Sequence, residues 1–426
     1  MNILVLGATG FIGSAVANRL LADGHSVTGL GRDLSRARRL NQNINWLKVD
    51  LSRMTQASDW TAILADVDMV VNCAGALQDG LRDDLAAVQT AAMIALYAAA
   101  EPAHIRRIVQ ISAETGGGAA DTAFLSTKRQ ADDALKASPL DWVILRPSLV
   151  VGRNAYGGTA LLRGLAALPF ILPLVHADRC MATVALDDVA EAISRAVAGK
   201  IAAGSDFALT GPERMRLADL VATHRRWLGL GDAPVIALPD SVARPISAIA
   251  DLAGWLGWRS PLRSTAMRVM VDGVHVSSEL APMPFQSLNS ILGRHSSGVQ
   301  DLWFARMYLL KPVVILVLSL FWLVSGLIPF FALEQAAGHF LPFLSPGLST
   351  LAVVVTSLAD IALGLMLLYR PTARLALLGQ MGLASAYLLG GSLLEPALWL
   401  DPIGPYVKVL PAILLSLVTL AILEER

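Results

Sequence analysis

Ile3-Leu4-Val5-Leu6-Gly7-Ala8-Thr9-Gly10-Phe11-Ile12-Gly13 is the stretch that decides the fold. Its first four residues form a short β-type run, and Ser14 to Ala22 behind the glycines reads as a helix, so the order is strand, glycine turn, helix. Gly7 permits the tight turn and Gly10 lets backbone approach a pyrophosphate. Gly13 lets the helix pack closely on the strand, and the helix N-terminus attracts the phosphate charge. The spacing predicts a dinucleotide site built on Gly7, Thr9, Gly10, Phe11, Ile12 and Gly13; a plain strand-helix turn is the alternative.

Outward from this turn, a second strand over His25 to Leu30 ends in Gly31-Arg32-Asp33. A carboxylate here would accept bonds from ribose hydroxyls and select NAD(H). Arg32, with Arg36, Arg38 or Arg39 nearby, would instead pair with a 2′-phosphate, so NADP(H) is favoured over NAD(H). Two alternatives stay open: Asp33 turned towards the ribose, and a merely solvated basic helix face. Further strands end at Asp50-Leu51, at Asn72-Cys73-Ala74-Gly75 and, after Arg107 to Ile111, at Ser112. In an open parallel sheet the ligand lies across the carboxyl ends of the strands, which puts Asp50 towards the adenine and Cys73, Ala74 and Gly75 beneath the dinucleotide. The alternating order predicts an α/β, doubly wound parallel sheet.

With Val49-Asp50-Leu51, Ile111-Ser112-Ala113 and Leu145-Arg146-Pro147-Ser148 added to the glycine turn, the first 220 or so residues resemble the extended or atypical short-chain dehydrogenase/reductases. Gln300-Asp301-Leu302-Trp303-Phe304-Ala305-Arg306 is similar to the subgroup that holds the NADPH-binding accessory subunit of respiratory complex I. The resemblance implies that Leu51, Pro147 and Lys128 also border the cofactor. It further implies that Val184 to Ala190 starts a helix, with Asp187 and Asp188 placed to cap it.

Catalysis in that superfamily rests on a tyrosine four residues before a lysine, helped by a serine. The lysine binds the nicotinamide ribose and lowers the phenol's pKa. Ser112 matches the serine and Lys128 the lysine, but the tyrosine position holds Phe124, which has no proton to give. Losing a general acid removes about 10² to 10⁴ of rate. Tyr156, in the loop Gly152 to Gly158, is a candidate replacement for that phenol, with simple packing as its alternative. His176 is either a titrating group near substrate or a hydrogen-bonded loop residue. No His pair or acidic loop has metal-ligand spacing, so no metal is expected.

Composition separates the two halves. Over 426 residues the hydrophobic share is 54% and the charged share only 16%, too apolar for a wholly soluble chain. With 34 basic against 34 acidic residues no net field favours a polyanion, and no nucleic-acid partner is expected. Cys73 and Cys180 are too few for a disulfide framework and are expected as buried thiols. Beyond Lys311 long apolar runs take over. Pro312 to Ala332, Ser349 to Tyr369, Ala373 to Leu394 and Tyr406 to Leu423 are each about long enough for a 30 Å hydrocarbon core, predicting an all-α bundle of four transmembrane helices.

Three regions follow: 1–220 for the NAD(P)-binding domain, 221–311 for a cap or linker, and 312–426 for the membrane bundle. Within the middle region, Pro239 to Trp258 reads either as a buried cap helix or as a segment resting on the bilayer with Trp255 and Trp258 at its surface. Arg306, Lys311, Arg370, Arg374 and Arg426 favour one side of the membrane. With no signal-like segment at the N-terminus, they place the first domain in the cytoplasm and the bundle in the inner membrane. Asp360 and Gln380 lie inside spans, where Asp360 is either part of a quinone- or proton-linked site or a polar tie between helices.

The last 115 or so residues, with Asp401-Pro402-Ile403-Gly404-Pro405-Tyr406-Val407-Lys408 before the fourth span, resemble the DoxX-like membrane family, which implies a quinone- or redox-linked module. The sequence thus predicts a membrane-anchored NADP(H)-dependent oxidoreductase or epimerase-like enzyme, acting on a lipid or quinone. The alternative is a noncatalytic accessory protein whose helices dock a membrane partner.

Overall fold

Ile3 to Leu6 are buried on both faces, as a strand inside a parallel sheet must be, and the same holds for Arg107–Ile111. In the computed structural model, which describes residues 1–76, 78–81, 83–271, 279–402 and 404–424, these are two of eight parallel strands. Ile403, in the stretch before the fourth expected span, and Arg426, part of the charge pattern, lie outside the described residues.

The strands in chain order are β1 Asn2–Leu6, β2 Ser26–Gly31, β3 Asn45–Lys48, β4 Met69–Asn72, β5 Arg107–Ile111, β6 Trp142–Pro147, β7 Leu149–Val151, β8 Leu172–Val175, β9 Cys180–Ala185, β10 Ser205–Leu209, β11 Arg214–Arg216, β12 Val235–Leu238 and β13 Glu279–Leu280. The main sheet runs β13-β10-β6-β5-β4-β1-β2-β3. Chain order reverses at β1, which pairs with β2 on one side and β4 on the other. This is the doubly wound arrangement read from the sequence.

Helices cover both faces: α1 Phe11–Ala22, α2 Leu34–Leu40, α3 Ala57–Leu64, α4 Ala92–Ala100, α5 Ala123–Ala137, α6 Gly158–Ala166, α7 Leu186–Val197 and α8 Leu217–Trp227. One core lies under α1 and α7, around Val16, Leu20, Ile193 and Val197. The other lies under α3, α4 and α5, around Trp60, Leu96 and Leu135. Two polar side chains on neighbouring strands satisfy each other inside the sheet, Asn72 Nδ2 donating to Gln110 Oε1 at 2.8 Å.

Two sequence expectations are corrected here. Cys180, the first residue of β9, is exposed rather than buried, because the strand begins at the surface. Asp187 and Asp188 stand in the first turn of α7 and do not cap it; the N-cap is Ala185, and Asp188 instead accepts bonds from the Gln286 backbone and side chain at 2.8 and 2.6 Å.

The chain continues through α9 Asp240–Trp255, α10 Ser264–Val271, α11 Leu288–Gly293, α12 Val299–Phe331, α13 Leu333–Gly338, α14 Pro346–Leu368, α15 Ala373–Leu394 and α16 Pro405–Ala421. It forms two compact units, one of Met1–Trp255 with Arg259–Ala305, the other of Leu256–Trp258 with Arg306–Arg426. In the second, α12, α14 and α15 are long and apolar enough to cross a membrane, by length and composition. The fourth expected span is the shorter α16, of 17 residues with Pro411 inside it. Span one begins 13 residues before Pro312, which lies within the helix rather than at its start.

Close packing in this unit comes from small residues. A Cβ on Gly326 would stand 2.5 Å from the Ser357 carbonyl oxygen, so only glycine lets α12 and α14 meet there. Asp360 is tied on both sides, accepting from Tyr387 Oη of α15 at 3.0 Å and Ser325 Oγ of α12 at 3.2 Å. Ser416 Oγ of α16 donates to Gln380 Oε1 of α15 at 3.3 Å. These bonds join the helices through the groups that would be costly if left bare in lipid.

Candidate functional site

At the carboxyl end of β1 the backbone turns through Gly7, whose φ of +69° is the left-handed region that favours glycine. A Cβ there would lie 2.7 Å from the Cys73 oxygen and 2.8 Å from the Ala74 nitrogen, so the loop after β4 runs directly against the glycine turn. A Cβ on Gly13 would lie 2.2 Å from the Gly7 oxygen, which fixes how closely α1 returns to its strand. Gly10 N donates to Gly7 O at 2.8 Å and Gly10 is the N-cap of α1. Among the described residues no side chain caps α1, and its first turn carries no acid. The uncapped amides and partial positive charge of a 12-residue helix thus meet a turn whose N-cap is glycine, which fits a pyrophosphate.

One strand over, Thr9 Cγ2 would meet a Cβ on Gly31 at 3.2 Å, so the first loop adjoins the end of β2. Arg32 follows, half-exposed, its guanidinium 3.0 Å from Asp83 Oδ1. Asp33 Oδ1 accepts from Ser35 N and Ser35 Oγ at 2.9 and 2.6 Å, turning the carboxylate to the start of α2. Asp50 does the same for the single turn Leu51–Arg53, accepting from Ser52 Oγ at 2.9 Å. Arg32, Asp50, Ser52, Arg53 and Asp83 line one open cleft of about 400 Å³. Arg38 lines a different cleft, beside Trp46, and Arg39 Nε donates to Ser35 O at 3.2 Å; neither is brought to Arg32's cleft, and the Arg36 side chain lies outside the described residues.

At the other end of the crevice Lys128 of α5 is buried, its Nζ donating to the Ile111 oxygen at 3.1 Å. A Cβ on Gly75 would come within 3.5 Å of that Nζ, so Cys73-Ala74-Gly75 and Lys128 are neighbours. Burial depresses the Lys128 ammonium, against the opposing pull of Asp132 and Cys73. Burial likewise pushes the Cys73 thiol up to about 12, only partly offset by Lys128. Phe124 packs beside Lys128, Nζ lying 6.0 Å from its ring centroid.

Ser112 is not presented to this space. Its hydroxyl donates to Asp132 Oδ2 at 2.6 Å, and both are buried. Arg146 pairs with the same Asp132 oxygen at 3.0 Å and with Asp206 at 2.7 Å, while Lys136 reaches Asp206 at 2.7 Å. Arg146 also donates to the Ala113 oxygen and approaches Ser112 Oγ at 3.4 Å. The short-chain dehydrogenase serine position is therefore tied into an ionic network binding β5, α5, β6 and β10. Pro147, the last residue of β6, stands next in sequence to Arg146, paired in register with Leu209.

Two features escaped the sequence reading. Gln89 sits in a π-helical turn, Ala86–Ala91, its Nε2 donating to Ala76 O at 2.7 Å. Its Oε1 is buried, has no partner among the described residues, and would lie 3.9 Å from a Cβ on Gly75. Only the structure brings this acceptor to Lys128, because the π turn shifts the helix register by a residue. The second is an ionic knot on the loop that carries Tyr156. Asp301 accepts from Arg153 at 2.7 Å and lies 3.5 Å from Arg163, which donates to the Gly152 oxygen at 2.9 Å. Beyond this knot Tyr156 stacks on Phe11, ring centroids 5.8 Å apart, and is 42% exposed. His176 faces Asp240 at 3.6 Å, at the other end of this region's two-stranded sheet.

A glycine cradle at the switch point of a parallel sheet, in a chain that also carries long apolar helices, defines a dinucleotide-binding membrane protein. Residues 7–198 match the NAD(P)H-binding family, and residues 319–417 match the DoxX-like family. The chain thus carries a stretch similar to NAD(P)H-binding proteins ahead of a stretch similar to the DoxX-like family.

An uncharacterized protein of Mycobacterium tuberculosis is 25% identical over 252 residues, 59% of this chain and 26% of that protein, so the chain spans about a quarter of this relative's length. A UDP-glucose 4-epimerase of Mycolicibacterium smegmatis is 34% identical over 125 residues, 26% of this chain and 38% of that enzyme. Among solved structures, UDP-glucuronic acid 4-epimerase from Bacillus cereus in complex with NAD is 20% identical, covering 56% of this chain and 86% of its own, with a TM-score of 0.48. UDP-glucose 4-epimerase from Thermotoga maritima is 16% identical, covering 74% and 100%, with a TM-score of 0.46.

Proposed function

We propose that this protein holds NADP(H) at the membrane in a binding role, structural or sensory, rather than turning it over by the tyrosine mechanism of the short-chain dehydrogenases. The observation that carries this reading is that one of the two hydroxyls that mechanism needs is absent and the other is engaged elsewhere. Phe124 stands for the tyrosine, and the Ser112 hydroxyl is held 2.6 Å from Asp132 inside a buried ionic network. Gly7, Thr9, Gly10, Phe11, Ile12 and Gly13 would hold the pyrophosphate end. Asp50, Leu51, Cys73, Ala74 and Gly75 would border the rest, and Lys128 and Pro147 the nicotinamide end. The dinucleotide, when bound, supplies a hydride carrier.

A preference for NADP(H) is supported by Arg32 and Arg53 sharing one cleft, and by Asp33 being turned to Ser35 instead of towards a ribose. The bundle would anchor the protein in the inner membrane with the first domain in the cytoplasm, since Arg370 and Arg374 flank the short turn between α14 and α15. A membrane-protein partner fits this accessory role, with residues 221–311 as a cap over the dinucleotide domain.

A second reading, an NADP(H)-dependent oxidoreductase or epimerase-like enzyme acting on a lipid or quinone, is favoured by Tyr156. Its part-exposed phenol belongs to a ring stacked on Phe11, which sets a titratable hydroxyl beside the glycine turn. The experiment that separates the two is NADPH and NADH binding to the full-length protein in detergent, followed by cofactor oxidation against quinones and lipid carbonyls. Tight NADPH binding without turnover supports the binding role. Turnover that Tyr156→Phe abolishes, with binding intact, overturns it in favour of the enzyme.

A further inference from the structure

Helix α9 has two faces of different character. Ala243, Ser247, Ala250 and Gly254 are buried on its inner side. There Asp251 Oδ1 accepts from Gln78 Nε2 at 3.0 Å, and from Arg263 Nε and Ser264 N at 3.2 Å each. Arg263 also donates to the Asp79 oxygen at 2.7 Å. These bonds hold α9 down on the loop that continues from Cys73-Ala74-Gly75, so the helix is an outer layer over the dinucleotide domain. Outside this inner side stand Val242, Ile246, Ile249, Leu252 and Trp255, the last three 69%, 63% and 62% exposed. At roughly 100° per residue Val242, Ile246, Ile249 and Leu252 keep to one side of the helix, while Trp255, at its end, falls on the flank shared with Arg244 and Asp251. Four large apolar side chains in a row on a helix already anchored by its other face mark an interaction surface.

What covers it follows from the chain beyond Trp255. Leu256–Trp258 belong to the helical membrane unit. The Leu256 oxygen accepts from Arg370 N at 2.9 Å, Trp258 Nε1 donates to the Leu368 oxygen at 2.7 Å, and the Arg370 guanidinium lies 5.4 Å from the Trp258 ring. Leu368 is the last residue of α14, one of the three helices able to cross a membrane. The end of α9 is therefore continuous in sequence with residues packed where a spanning helix stops, which is the level of the headgroups. Indole rings favour that level, and an amphipathic helix there lies along the surface with its apolar side in the acyl boundary.

We propose that α9 is an in-plane membrane helix, its Val242–Leu252 stripe inserted at the headgroup–acyl boundary of the bilayer, so that the layer over the dinucleotide domain is seated on lipid. This is a second attachment, separate from the spanning helices, and it does not depend on whether the bound dinucleotide turns over.

The test uses full-length protein in nanodiscs of phosphatidylcholine and phosphatidylglycerol, in a Cys180→Ser background. Spin labels are placed singly through Ile249→Cys and Leu252→Cys on the stripe and Arg244→Cys off it. The background protein without an added cysteine corrects for label at Cys73, and each variant must keep the dinucleotide-induced thermal shift of the unlabelled protein. Power saturation should show labels 249 and 252 colliding several-fold more with oxygen than with a water-soluble nickel chelate, and label 244 the reverse. Chelate access at 249 and 252 equal to that at 244 would overturn the proposal, as a water-facing helix. Protection at both from oxygen and chelate alike would also overturn it, in favour of a protein partner or a second copy.

Discussion

Arg32 is the residue on which cofactor choice turns, and its present partner sets the size of the effect. It is paired with Asp83 at 3.0 Å in an exposed setting, so engaging a 2′-phosphate exchanges one weak surface pair for a stronger charge-assisted contact. Arg32→Ala should weaken NADPH by roughly tenfold, about 1.4 kcal/mol, and leave NADH nearly unchanged. Parallel titrations of both cofactors check this, and equal loss of both sinks the assignment. Ser112 predicts a different pattern. Because its hydroxyl serves Asp132, Ser112→Ala should cost about 1.5–3 kcal/mol of stability with little change in dinucleotide affinity, read by denaturant unfolding and titration of one sample. The network around it also fixes an acid response. Burial works against the Asp206 carboxylate, but Arg146 and Lys136 outweigh it and hold its pKa below 3.8. A folded-state value below the unfolded one stabilises above pH 3.8, and that share is lost as the pH falls beneath it. Asp132 runs the other way: burial, despite Arg146 and Ser112, holds it above 3.8, so its ionisation opposes folding as the pH rises through the raised value. Asp206→Asn should therefore lower the thermal midpoint at neutral pH and flatten its fall in acid.

Elements divide into those legible in the sequence and those that are not, and the reason is the range of the interaction. The β1–α1 turn was legible because each glycine answers a clash within its own neighbourhood or with the next strand, and strands β4 and β5 because Met69 to Val71 and Ile108-Val109 are short β-type apolar runs. The tie between Ser112 and Asp132 was not, since it joins residues 20 apart, one just past a strand and one on a helix, whose packing no local pattern states. Nor was the role of Asp301. It stood out only as part of a motif, yet it closes a bond of sequence separation 148 with Arg153 at the start of the loop bearing Tyr156. That knot carries a prediction of its own. Arg163 is 3% exposed and would lose its nearby carboxylate in Asp301→Ala. The variant should lose about 3–5 kcal/mol of stability, the usual cost of leaving a buried charge uncompensated. Asp301→Asn should cost less, because the amide oxygen still accepts a bond from Arg153. A thermal or denaturant comparison of the two distinguishes an ionic knot from simple helix capping, for which asparagine would serve as well as aspartate.

For the whole molecule, the division into two compact units means that a ligand held by one does not automatically stabilise the other. Binding to the folded state alone adds about 2.7 kcal/mol at a hundredfold excess over Kd, and the gain belongs to whichever residues open together with the site. The glycine turn, the loop 73–75 and Lys128 all lie in the first unit, and α14, α15 and α16 all lie in the second. Saturating NADPH should therefore slow hydrogen exchange across β1, α1, β4 and β5 of the full-length protein in detergent and leave α14 to α16 unchanged. The helix in which the distinction is sharpest is α12, because it begins at Val299 in the first unit and runs without a break to Phe331 in the second. If protection stops near Ala305, cofactor occupancy is a local event and any signal to the bundle must travel through a partner. Protection running on through α12 into α14 would show one cooperative body instead of two, with the Arg153–Asp301 knot as the first residue pair to mutate, since it joins the Tyr156 loop to the helix that enters the membrane.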